Sequence, residues 1–131
     1  MQEHPNATLI RSLFQAFRNV ALDTILATIS EDAVWHFPGR RGRLAGSHRG
    51  RDQILKFLSE VQTLTDHTFQ LELGDVIAND QRAVVLFRGS AQRNGKTLDN
   101  PTCLRIDFRD GKVHEVWEFV WNLFEVDDFW S

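Results

Sequence analysis

The chain has 131 residues, 42% of them hydrophobic and 25% charged, and a net charge of -3. That length supports one domain, residues 1–131, with a core of its own and no need of disulfides or a structural metal; the balance excludes a disordered or fibrous chain. The acidic charge argues against nucleic-acid binding, no apolar run reaches the roughly 18 residues of a membrane span, and the single cysteine, Cys103, cannot bridge internally.

The opening segment MQEHPNATLI has no basic region and no apolar stretch, so no signal peptide is expected. With a lone thiol this points to a reducing, cytoplasmic setting. Leu9, Ile10, Leu13, Phe14, Phe17 and Val20 recur at spacings of three and four and predict a first helix, started at Pro5 and Asn6. Ile25, Leu26 and Ile29 predict a second, shorter one, with Asp23 as its N-cap. Ala33 to Phe37 reads as a short strand stopped by Pro38 and Gly39. Residues 39–50, GRRGRLAGSHRG, read as a loop, and Ile54, Leu55, Leu58 and Val61 predict a third helix from about Arg51 to Leu64.

From Thr68 the period changes to two. Phe69, Leu71 and Leu73 alternate with Gln70 and Glu72, Asn79-Asp80 marks a turn, and residues 82–92 form a strand apolar on both faces. Asn94-Gly95 and Asp110-Gly111 are hairpin turns, because each needs positive φ at both central residues. The tail keeps Phe124, Val126, Phe129 and Trp130 and is expected to dock. Three helices followed by a four-strand antiparallel meander make an α+β fold, with a binding pocket at the open end of a curved sheet.

The order of elements, the segment Glu31–Gly39 (EDAVWHFPG), the helix start Arg49–Asp52 (RGRD), the turn Arg109–Val113 (RDGKV) before a Trp-Glu strand, and the ending Asp128–Ser131 (DFWS) resemble the nuclear transport factor two-like superfamily, and within it the SnoaL-like and ketosteroid-isomerase-related bacterial proteins. The resemblance implies a cone-shaped domain: three N-terminal helices on a curved, mostly antiparallel sheet. It also implies a pocket for a small molecule and dimerisation through the outer sheet face. The catalytic residues of that superfamily are mostly absent. The isomerase base falls at Phe37, its tyrosine near Leu13 in a chain without tyrosine, and its protonated aspartate near Leu104. The cyclase base falls at Trp121. Of the three positions of the related epoxide hydrolases, two fall near Val85 and Phe87, and the third, Glu118, is still a carboxylate.

Glu118 is therefore the candidate acid/base, a carboxylate in an apolar strand where it must be paired or protonated. His36 is a weaker candidate, because alternation sends it to the face opposite Phe37. Trp35, Phe37, Phe87, Leu104, Trp121 and Asn122 are the expected pocket residues. Arg105 and Asp107 are expected to pair on the outer face. The five arginines between Arg40 and Arg51 read as a solvated loop that offsets the acidic C-terminal run. Cys103 reads as a small apolar group. No histidine spacing suits a metal, and no phosphate or dinucleotide motif implies a cofactor. Two readings result: a domain that binds a small, largely apolar molecule, cyclic ones included, or an isomerase, cyclase or hydrolase that uses Glu118. A homodimer is expected, since the outer sheet face still carries apolar residues.

Overall fold

The computed structural model describes residues 3–131. Met1 and Gln2, the first residues of the segment read for a signal peptide, lie outside that range. The elements run α1 (Pro5–Asn19), α2 (Leu22–Thr28), β1 (Ile29–Phe37), β2 (Gly46–Arg49), α3 (Arg51–Leu64), β3 (Gln70–Ala78), β4 (Arg82–Arg93), β5 (Lys96–Arg109), β6 (Lys112–Val120) and α4 (Leu123–Trp130). The strands form one sheet in the order β2-β1-β6-β5-β4-β3. Only the β1–β6 pair is parallel. The α+β, mostly antiparallel architecture is the expected one, with a fourth helix formed by the docked tail.

Local chemistry sets these boundaries. The His4 ring accepts the Asn6 N–H at 3.0 Å and caps α1, and Pro5 occupies its first turn, where the missing N–H costs nothing. Val20 does not extend the apolar stripe: it takes a left-handed φ of 52° and ends the helix, 80% exposed. Ala21, not Asp23, is the residue before α2. The turns Asn94-Gly95 (φ 51° and 77°) and Asp110-Gly111 (φ 53° and 75°) have the two positive values their sequences predict.

Two strands differ from the sequence expectation. β1 is nine residues long because Ile29 to Asp32 continue it through an irregular register beside β6. The Gly- and Arg-rich segment contains β2, which pairs with β1 alone, His48 opposite Trp35. In β3 the register shifts between Leu73 and Val76, and Gly74 allows the close approach: a Cβ there would stand 2.9 Å from the Leu86 carbonyl oxygen.

The inner face of the sheet makes the core with the helices. Along β5, Leu98, Asn100, Thr102, Leu104 and Ile106 are buried and alternate with exposed Asp99, Pro101 and Arg105. The core includes Ile10, Leu13, Ile54, Phe57, Val85, Val116 and Phe129. Burial is graded along this face. The rows through Ile106 and Val116, and through Leu104 and Val85, are closed, whereas Phe37, Phe87, Glu118 and Val120 are only half-buried. The half-buried stretch of the inner face around Phe37, Phe87, Glu118 and Val120, with buried Thr102 and Asn100 beside it, is termed the mouth below.

Candidate functional site

Strand pairing builds the mouth. Glu118 on β6 stands opposite Leu104 on β5, which stands opposite Val85 on β4. One row further out, Val120 faces Thr102, and Thr102 faces Phe87. Asn100 follows, opposite Gly89. On β1, the inward residues are Ala33, Trp35 and Phe37. Trp35 and Phe37 both pack on Phe57 of α3, with ring centroids 5.6 and 5.5 Å away.

Among the described residues Glu118 is the one carboxylate on this surface. The Trp35 indole N–H donates to its Oε1 at 3.0 Å. As a residue Glu118 is half-buried, but its carboxyl group lies among protein atoms, and this burial pushes the pKa up to about 7. The Trp35 bond favours the ionised form and partly opposes the shift. Oε2 has no hydrogen-bond partner among the described residues. It is also not one of the sealed unpaired atoms, which are Ser30 Oγ, Arg51 Nε and His114 Nδ1. The oxygen is thus not completely sealed. A carboxyl group with one oxygen anchored and the other free, titrating near neutrality, can take or give a proton at ordinary pH.

The other expected site residues divide. Trp35, Phe37, Phe87 and Leu104 share the inner face with Glu118, Leu104 as sealed floor with 0% exposure. Trp121 does not: it is 84% exposed just past β6. Asn122 caps α4, its Oδ1 accepting the Glu125 N–H at 3.1 Å. Asn100 and Thr102 are absent from the expected set, yet both are buried on the inner face. The Asn100 amide N–H donates to Thr102 Oγ1 at 2.9 Å.

His36 points away from this mouth, as strand alternation requires. Its Nε2 lies 2.5 Å from Glu115 Oε2 and its Nδ1 2.7 Å from Ser47 Oγ, and its ring stacks on Trp117. The Arg105 guanidinium covers the other part of this cluster, 4.6 Å from the Trp117 ring centre. Arg105 also pairs with Asp107, and Arg82 does the same, each at 3.2 Å. Leu86, Cys103 and Phe119 lie in one row across three strands of this outer face. Burial pushes the Cys103 thiol up from its ordinary pKa, which disfavours a thiolate nucleophile.

The arginine-rich loop meets the acidic tail through its backbone. The N–H groups of Arg40, Arg41 and Gly42 donate to the Asp127 carboxylate at 2.6–3.0 Å and hold its pKa below the usual range, Gly42 contributing most. The Arg40, Arg41, Arg43 and Arg49 side chains are exposed, while Arg51 turns inward and donates to the Leu26 carbonyl oxygen at 3.0 Å. A separate groove of about 690 Å³ runs between α1 and β3, past Arg11, Arg18 and Arg88, and does not include Glu118. Among the described residues no three His, Cys, Asp or Glu side chains gather to hold a metal ion, and no helix is long and apolar enough to cross a membrane.

Comparison with known proteins adds to this geometry. The model of the SnoaL-like domain matches residues 10–116. The structure of Bal32a, from a soil-derived mobile gene cassette, superposes with a TM-score of 0.90 at 34% identity and covers 96% of each chain. An uncharacterized protein of Mycobacterium tuberculosis is 27% identical over the whole of both chains. IdmH of Streptomyces antibioticus, described as a putative polyketide cyclase, shares the fold with a TM-score of 0.74 at 19% identity, covering 94% of this chain and 96% of its own.

Proposed function

This chain belongs to the SnoaL-like domain family, and on that premise we propose that its mouth binds a small, largely apolar ring molecule on which Glu118 moves a proton. The observation that carries the proposal is the Glu118 carboxyl, buried among apolar side chains, tethered by Trp35 through one oxygen and open through the other. Phe37, Phe87 and Val120 supply the half-buried apolar wall around it. A carbon acid seated there loses a C–H proton to the ionised carboxylate, and the resulting enolate regains a proton from the neutral acid. Binding without turnover is the second reading, favoured by the absence of tyrosine and by Phe37 and Trp121 at the family's base positions.

The two readings separate with 2-tetralone in deuterated water. Proton transfer by Glu118 gives enzyme-dependent deuterium uptake at the carbon next to the carbonyl, and Glu118→Gln lowers that rate by about 10²-fold or more. Binding without accelerated exchange leaves a binding domain. No binding at all removes the mouth as a ligand site.

The same proposal extends to a homodimer built on the outer sheet face. Ile77, Val84, Leu86 and Phe119 are exposed there, at 63%, 39%, 41% and 56%. A two-fold contact would cover them with their own copies and leave both mouths open. Sedimentation at micromolar concentration then reports twice the 15.1 kDa chain mass; the single mass refutes it.

A further inference from the structure

We infer that Asn100 is a second anchor in the mouth, selecting ligands that carry a hydrogen-bond donor, a hydroxyl above all, at the end remote from Glu118. The inference deepens the proposed function and rests on it for the presence of a ligand.

Asn100 is 6% exposed and lies on the inner face, between buried Leu98 and Thr102. Its amide is oriented by its own neighbour: one N–H donates to Thr102 Oγ1 at 2.9 Å, while that hydroxyl lies 3.4 Å from the Asn100 carbonyl oxygen, to which it donates. The side-chain Oδ1 is thereby turned away from Thr102. Among the described residues it accepts no hydrogen bond, and it is not one of the sealed unpaired atoms. An amide oxygen that is not sealed and has no protein partner is free to accept from a molecule beside it. The oxygen is an acceptor, so its complement is a donor.

Position gives the length of the molecule. Asn100 and Leu104 are four residues apart on β5, about 13 Å along an extended strand, and Glu118 is beside Leu104 on the next strand. A two-ring molecule reaching from one to the other would pass Val120, Thr102 and Phe87, which share the row between them. One end of such a molecule meets the Glu118 carboxyl and the other presents its hydroxyl to Asn100 Oδ1. A site that satisfies a hydroxyl discriminates strongly against an analogue that leaves its buried polar group unpaired.

The test compares 6-hydroxy-2-tetralone with 6-methoxy-2-tetralone by calorimetry, on the unaltered protein, on Asn100→Leu and on Thr102→Val. The unaltered protein prefers the hydroxy compound by about tenfold or more. Asn100→Leu, close in shape, erases the preference, leaves the methoxy affinity within a few-fold, and melts no lower than the unaltered protein. Thr102→Val frees the amide to rotate and reduces the preference without abolishing binding. Equal binding of both compounds to the unaltered protein overturns the anchor while leaving the mouth as a ligand site. Binding of neither overturns the proposed function, and the anchor with it. A marked fall in melting temperature for Asn100→Leu with the preference retained assigns Asn100 to the scaffold instead.

Discussion

The Glu118 carboxyl does two opposing things. On the proposed reading it moves a proton, and it costs stability wherever it is ionised. Its folded pKa of about 7 stands above an unfolded value of about 4.3. The folded chain thus holds the extra proton across that window, and the stabilisation is complete below about pH 4 and lost as pH rises through about 7. Glu118→Gln should flatten the fall of melting temperature between about pH 5 and pH 8 and raise its value at the upper end, measured by calorimetric scans. Trp35→Phe keeps an aromatic ring on Phe57 and removes the N–H donated to Oε1, a bond that lowers the carboxyl pKa. Its loss should move the carboxyl pKa further upward, read from the carboxyl infrared band against pH. Glu118 was legible in the sequence because a lone carboxylate in the run VWEFVW needs a reason. Asn100 was not, because the sequence places it in the strand returning from Asn94-Gly95 to Asp110-Gly111 without singling it out, and its burial on the inner face shows only in the structure.

Among the elements, α4 joins core packing to one exposed carboxylate contact. It is eight residues long, too short to persist alone, and is held by Val126, Phe129 and Trp130 in the core and by Asp127 in the ring of N–H groups from residues 40–42. Asp127→Ala leaves those donors without their anion. Amide hydrogen exchange in α4 should accelerate and the melting temperature drop by several degrees, while β3 to β5 keep their protection. Gly39→Ala should act the same way, since a Cβ there falls 2.4 Å from Asp127 Oδ1 at a φ of 114°. Acid reaches the same end by protonation: the pKa of Asp127 is depressed, so its contribution is present above the ordinary carboxylate pKa and lost as pH falls through the lower folded value. Both Gly-containing hairpins could be read from two residues each. β2 could not, because Gly-Ser-His-Arg shows no alternation and is a strand only through β1. The tail was legible as a docked segment through Val126, Phe129 and Trp130, but not as a helix, and Phe124, expected to dock with them, is 88% exposed on its outer side.

At the scale of the molecule the sheet has an inner face packed on the helices and an outer face that still carries exposed apolar residues, the proposed dimer surface. Phe119 projects from the outer face in a row with Cys103 and Leu86. Phe119→Glu should shift the sedimenting species to the single chain mass and leave the mouth intact, because Glu118 and Val120 point the other way. The apolar character of both faces of residues 82–92 was visible in the sequence. The curvature of the sheet was expected with the fold class, whereas the placement of β6 next to β1 was not, since it follows from no local period.

That placement joins the two ends of the chain in time as well as in space. The Trp35–Glu118 bond closes 83 residues of chain, a distant pairing that folds slowly compared with the hairpins between. During synthesis β1 and its indole emerge first, and the edge that β6 will occupy stays bare until the last strand arrives. An unpaired edge beside an uncovered tryptophan invites association with other nascent chains. The Trp35–Glu118 contact therefore forms only once β6 is made, and a chain stalled before residue 112 carries β1 without its parallel neighbour.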